Sequence, residues 1–146
     1  MIPLGAWGDL NLGINGTRFT KYDVQQTPVS PFVDSLNTIY NPLKFKVRGL
    51  AQWGLGPWTT NLTLSYLNGY TNNLATPAQQ VNSSLLVDAR VAYAFESGGP
   101  MNLLKDATLA IGAVNLFDKK PPFVNVAQSN NGGGGFDPTL TSPVGR

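Results

Sequence analysis

The sequence predicts an all-β fold: an antiparallel meander of about five strands from a large transmembrane β-barrel. Two observations lead to it. Segments of about ten residues alternate apolar with polar side chains, and the connections between them alternate between short and long. Because successive side chains of a strand point to opposite sides, this alternation gives each strand one apolar face and one polar face.

The first two strands are predicted at residues 9–15 and 44–53. Their apolar residues are Leu10, Leu12 and Ile14 in the first strand, and Phe45, Val47, Gly49, Ala51 and Trp53 in the second. The polar face of the second strand begins with a row of cations, Lys44, Lys46 and Arg48. We expect these cations to face the lumen, because a charge on the lipid side is costly.

Strands three and four are predicted at residues 58–66 and 85–96, and a weaker fifth strand at residues 103–117. The fourth alternates most clearly, and its polar face includes Asp88, Arg90 and Glu96. We predict that Asp88 and Arg90 also face the lumen, with Asp88 a candidate partner for the cations of strand two. In the fifth, Val114 and Leu116 interrupt the polar face.

The connections predict the topology. Only Gly54-Leu55-Gly56-Pro57 separates strands two and three, and such residues favour a tight turn. Long stretches separate strands one and two (residues 23–41) and strands three and four (residues 69–83). In outer-membrane barrels the periplasmic turns are short and the extracellular loops long. The first strand is therefore predicted to run outward and the second inward.

Aromatic residues are predicted to mark the two membrane interfaces. Trp53, Trp58, Tyr93 and Phe95 lie on apolar faces near the short connections, as expected of an inner girdle. Tyr66 and Phe117 lie near the other ends of their strands, where a second girdle is expected. The alternative is that these are core aromatics of a soluble β-sandwich.

Composition argues against several functional classes. The chain has no His and no Cys, which excludes His-dependent catalytic triads, disulfides and thiolate metal sites. Its carboxylates are scattered, and a net charge of +2 gives no reason to expect nucleic acid. We predict neither an enzyme nor a cofactor. Gly132 to Gly135 are interpreted as a flexible loop, because no Lys-Ser or Lys-Thr pair follows to bind phosphate.

The predicted strands are too few to form a closed barrel, because the smallest outer-membrane cylinders have about eight. An open sheet in lipid would leave backbone N–H and C=O groups without partners. Residues 1–7 also lack the basic and apolar regions of a secretory signal peptide. We therefore expect this sequence to be part of a longer exported barrel.

The segment that contains Asn115, Leu116, Phe117 and Asp118, with a Gly145-Arg146 pair downstream, resembles the C-terminal end of TonB-dependent outer-membrane receptors. A hairpin over residues 42–66, with its Trp-Gly-Leu-Gly-Pro-Trp turn, is similar to one in the same family. In that family the Asn-Leu-Phe-Asp block closes the penultimate strand and the Gly-Arg pair opens the last. The resemblance implies that the last strand is missing after Arg146.

The resemblance implies that residues 1–146 are the C-terminal part of a receptor barrel in the outer membrane of a Gram-negative bacterium, without plug domain and TonB box. The parent would take up a scarce ligand such as a siderophore, vitamin or saccharide. Its partners would be outer-membrane lipid, that small molecule, and the plug domain and TonB complex, engaged through the missing N-terminal part. Two alternatives remain: a soluble β-sandwich that binds carbohydrate, and another outer-membrane barrel such as a porin.

Overall fold

The computed structural model describes residues 1–95, 106–126 and 134–141. Within these ranges the chain is all-β, as predicted, with one 3-10 turn at Gly5–Trp7 and no α-helix. The strands are β1 Ile2–Pro3, β2 Asp9–Arg18, β3 Asp23–Val24, β4 Val33–Asp34, β5 Phe45–Leu55, β6 Trp58–Leu67, β7 Tyr70–Asn72, β8 Gln79–Val81, β9 Ser84–Ala94 and β10 Thr108–Ala113.

Six strands form one antiparallel sheet in the order β1-β2-β5-β6-β9-β10, so the predicted meander is confirmed. Strand β2 is longer than its alternation suggests, because backbone pairing with β5 continues through Gly16 to Arg18. Strand β10 is shorter, since the chain turns after Ala113. Glu96 and residues 103–105, which were assigned to strands four and five, lie outside the described residues.

Two short connections lie at one end of the sheet. The β5–β6 turn consists of Gly56 and Pro57 alone, and not of four residues, because Gly54 and Leu55 pair with β6. Gly56 has a φ of 53°, which suits the first central position of a type II′ hairpin turn. The other connection joins β1 to β2 and was not predicted. There Gly8 approaches the Gly54 carbonyl so closely that a Cβ would overlap it.

The register places the predicted apolar residues of all five long strands on one side of the sheet. Leu12, for example, is opposite Ala51, and Ala51 is opposite Leu62. This surface, called the apolar face below, comprises Leu10, Leu12, Ile14, Phe45, Val47, Gly49, Ala51, Trp53, Trp58, Leu62, Leu64, Tyr66, Leu85, Val87, Ala89, Val91, Tyr93, Leu109, Ile111 and Ala113. The other side is called the polar face.

The buried core does not lie on the apolar face. It lies in the long loops at the sheet end opposite the Gly56-Pro57 turn, where the buried side chains are Ile39, Leu43, Tyr70, Val81 and Val124. We call this unit, formed by residues 37–43, 68–72, 79–81, 124–126 and 137–141, the loop cap. On the apolar face, by contrast, Ile14 and Ile111 are 80% and 76% exposed. The described residues contain no second layer that covers this face.

Candidate functional site: a two-faced sheet with a loop cap

An aromatic cluster marks the short-turn end of the apolar face. Trp58 and Tyr93 are directly paired, with ring centroids 4.8 Å apart in edge-on geometry, and Phe95 continues the stack 4.9 Å from Tyr93. Trp53 lies on the same face, and its Nε1 donates a hydrogen bond to the Trp7 carbonyl at 2.7 Å. The four predicted girdle residues therefore lie at one end of one face. Sequence reasoning missed Trp7, which is 74% exposed beside them.

A second aromatic pair lies at the opposite end of the apolar face. Phe45 and Tyr66 have ring centroids 6.3 Å apart. Tyr66 follows Trp58 by eight residues in β6, which corresponds to about 27 Å along the strand. Phe117, also predicted for this girdle, lies in the turn after β10 and is 73% exposed. Phe45 was not predicted for this girdle, but it lies beside Tyr66 on the same face.

The polar face carries the predicted charges in two groups. Lys46 and Arg48 are exposed neighbours near the loop-cap end of β5, whereas Asp88 and Arg90 lie on β9. Lys44 lies one residue before β5, and its carbonyl accepts a hydrogen bond from the Phe19 amide at 3.1 Å. All five residues are thus on or beside the strands to which they were assigned.

Asp88 does not pair with the cations of β5. Its Oδ1 instead accepts the Asn115 backbone N–H at 2.8 Å. The register explains this, because Arg48 is opposite Ser65 and Ser65 is opposite Leu86, so Asp88 is displaced from Arg48 by a whole strand and two residues. Among the described residues, one ion pair occurs, at 2.6 Å between Lys21, in the loop after β2, and Asp23, the first residue of β3.

The Asn-Leu-Phe-Asp block forms the turn that ends β10. Asn115 has a φ of 53°, and its side chain brackets the turn by accepting the Lys119 N–H at 2.9 Å and donating to the Lys119 carbonyl at 3.0 Å. The Leu116 amide donates to the Val87 carbonyl at 2.7 Å, which fixes the turn against β9. Asp118 also has a positive φ, of 46°. Gly145 and Arg146 lie outside the described residues.

A buried carboxylate ties the loop cap together. Asp137 is 1% exposed and accepts hydrogen bonds from the Tyr40 amide at 3.2 Å, the Thr139 amide at 2.9 Å and the Thr139 hydroxyl at 2.6 Å. The Tyr70 side chain is buried in the same unit, within reach of the charge of Asp137. Burial, and then the charge of Asp137, raises the pKa of Tyr70 well above its usual value. No sequence signal joins Asp137 to Tyr40, because they are 97 residues apart.

Other polar contacts within the cap are also satisfied. Buried Asn72 donates to the Asn125 carbonyl at 2.9 Å, and the Thr71 and Ile39 amides bond to carbonyls across the two loops. No buried side-chain N or O atom among the described residues lacks a partner. The cap is therefore a packed unit that the sheet presents at its loop end.

Comparisons with known proteins add no identification. No family model, curated protein or solved structure matches this chain significantly. Within the described ranges there is no cluster of three metal-binding side chains. In the same ranges, no helix has the length and apolar character needed to cross a membrane. The candidate functional surfaces are thus the apolar face, the polar face and the loop cap.

Proposed function

We propose that this chain is part of the barrel of a TonB-dependent outer-membrane receptor, which takes up a scarce siderophore, vitamin or saccharide. One observation carries the membrane assignment. The apolar face has no covering layer in the described residues, has aromatic residues at both of its ends, and is backed by a polar face. Lipid is the environment in which such a sheet is stable, with polar side chains turned to the lumen.

Strand length supports the same proposal. Strands β2 and β6 have 10 residues, and β5 and β9 have 11. A tilted strand needs about 9 to 11 residues to cross the hydrocarbon core, whereas strands of soluble sheets most often have about 5 or 6. With a strand tilt of about 40°, the two aromatic levels are about 20 Å apart along the membrane normal, somewhat less than the apolar band of about 25 Å in outer-membrane barrels.

The sheet's asymmetric ends support the orientation. The β1–β2 and β5–β6 hairpins have short turns beside the aromatic cluster. The long connections lie at the other end of the sheet, where they form the loop cap. We infer that the tight turns are periplasmic and the cap extracellular, as the connection lengths of outer-membrane barrels favour. The soluble β-sandwich needs a second sheet over the apolar face, and the described residues provide none.

The receptor assignment, as distinct from a porin, depends on the resemblance around residues 115–118. In the structure this block turns β10 back against β9 through Asn115, Leu116 and Asp88. A strand-ending role for the block is what the resemblance implies. Contacts with TonB and a plug domain would involve parts of the receptor other than residues 1–146.

Membrane insertion is tested by single-cysteine labelling, which is clean because the chain has no Cys. Leu62→Cys and Leu64→Cys probe the apolar face, and Asn61→Cys and Thr63→Cys are matched neighbours on the polar face. Each variant of the intact protein is spin-labelled in outer-membrane vesicles. The relaxation of the spin label by oxygen, which enters lipid, is compared with its relaxation by a water-soluble nickel chelate. We expect oxygen to dominate at residues 62 and 64, and the chelate at 61 and 63. Equal relaxation at all four positions would contradict the proposal.

The energy coupling is tested separately. Cross-linking of the tagged, intact protein in host membranes should capture TonB if it is a receptor. Capture of no TonB, with spin-label alternation intact, would favour a porin-like barrel over a receptor.

A further inference from the structure

The polar face has its strongest positive charge at the loop-cap end, where Lys46 and Arg48 are neighbours on β5. Their side chains share one face at a spacing of two residues, which places their Cβ atoms about 7 Å apart. Both residues are exposed. An ammonium group and a guanidinium fork at this separation can reach a single carboxylate or phosphate group.

The positions directly opposite this pair are uncharged, and three of the four are polar; the fourth, Leu67 on β6 opposite Lys46, is apolar. Thr17 is opposite Lys46 on β2, and Asn15 and Ser65 flank Arg48 on its two sides. No acidic residue occupies the same rows of β2 or β6, and neither cation hydrogen-bonds through its side chain to another described residue. Hydroxyl and amide groups can add neutral hydrogen bonds to an oxyanion held by the two cations.

The nearest carboxylate on this face is already engaged. Asp88 accepts the Asn115 N–H, and the register displaces it from the basic pair. Arg90, a further cation of the polar face, lies closer to the short-turn end, where its strand neighbours are Asn61 and Gly112. The two cations of β5 therefore form a distinct positive patch beneath the loop cap.

We propose that Lys46 and Arg48 bind the anionic group, carboxylate or phosphate, of a small ligand as it enters from the loop-cap side. This rests on the proposed uptake function and deepens it by assigning a ligand class. The solvated Lys–Arg pair lets a ligand exchange, because exposed charges interact only modestly through water. An acidic protein segment seated permanently on the patch is the competing occupant.

The test uses the intact protein, purified from outer membranes in detergent, with citrate as the carboxylate probe and inorganic phosphate as the phosphate probe. Equilibrium dialysis of labelled probe measures binding to the wild type, to Arg48→Gln and to Lys46→Gln. Arg90→Gln is the matched control, since it removes one arginine from the same face. We expect Arg48→Gln and Lys46→Gln each to bind the probe about tenfold more weakly, because each loses one charge-assisted hydrogen bond. Arg90→Gln should bind the probe as the wild type does. Added salt should weaken wild-type binding most.

The outcomes separate this inference from the proposed function. If spin labels alternate along β6 but neither probe binds, or Arg48→Gln binds as well as the wild type, the anion site is overturned and the barrel stands. Equal losses in Arg48→Gln and Arg90→Gln would mean diffuse attraction and overturn the site too. Variants that lose thermal stability without losing probe binding would indicate the acidic protein segment instead. Loss of the spin-label alternation itself overturns the barrel, and the site with it.

Discussion

Arginine at the centre of the apolar face should be far more damaging than arginine one residue away on the polar face. Leu62 lies four residues from Trp58 and four from Tyr66, the aromatic levels of β6. In the proposed barrel, with a strand rise of about 3.3 Å and a tilt of about 40°, Leu62 would lie about 10 Å from each interface, near the bilayer midplane. Leu62→Arg is therefore expected to destabilise the folded barrel by about 2–4 kcal/mol.

Two further variants control for chemistry and for depth. Thr63 faces the polar side opposite Asp88, so Thr63→Arg should change the free energy of unfolding by less than about 1 kcal/mol. Val47 shares the apolar face but is level with Tyr66, where the cost of arginine falls to about 0–1 kcal/mol. The loss in free energy of unfolding should be larger for Leu62→Arg than for Val47→Arg or Thr63→Arg. This ranking tests both which face of the sheet meets lipid and how deep each residue lies.

The measurement is urea unfolding of the intact protein in lipid vesicles, followed by tryptophan fluorescence and fitted for the free energy of unfolding. If Thr63→Arg costs as much as Leu62→Arg, the apolar face is not the lipid face. If Val47→Arg costs as much as Leu62→Arg, the aromatic pairs do not mark the interfaces.

Two other predictions concern the loop cap and the Asn115 turn. Because the folded pKa of Tyr70 is raised above the unfolded value of about 10, its contribution to stability is complete below pH 10 and is lost as the pH rises toward the folded pKa. Alkaline titration of tyrosinate absorbance should show one late step that Tyr70→Phe removes; an unchanged curve would contradict this. Asn115→Ala should destabilise by about 2–3 kcal/mol through two lost hydrogen bonds and a left-handed alanine, and Asn115→Gly by about 1 kcal/mol less. Urea unfolding compares the two, and equal losses would show that the φ of 53° carries no strain.

Much of the sheet could be predicted because its pattern is local. The period-two alternation in residues 44–53 and 58–66 sets which side chains share a face, and a shift by one residue would invert every one of them. The tight Gly-Pro turn then pairs those strands in a single register. The apolar face and the aromatic end of the sheet follow from these two facts alone.

Backbone pairing, which no side-chain pattern reports, decided the strand ends. Strand β2 continues to Arg18 through Gly16, and β1 adds a sixth strand to the sheet with only two residues. Neither segment alternates for long enough to be recognised from sequence. The same applies to Trp7, which reaches the aromatic cluster because the turn before β2 folds back onto it.

The partners of the charged residues also needed the tertiary structure. The sequence makes Asp88 one candidate partner for the cations of β5, but the register places its carboxylate beside the Asn115 amide. The loop cap depends on Asp137 meeting Tyr40 and Tyr70, which come from two other loops.

The sequence by itself determined the two faces and the meander, because a strand's side-chain directions are set by its own backbone. Only the tertiary structure decided the cap and the charge partners, because loops that are far apart in sequence meet only where the long strands bring their ends together.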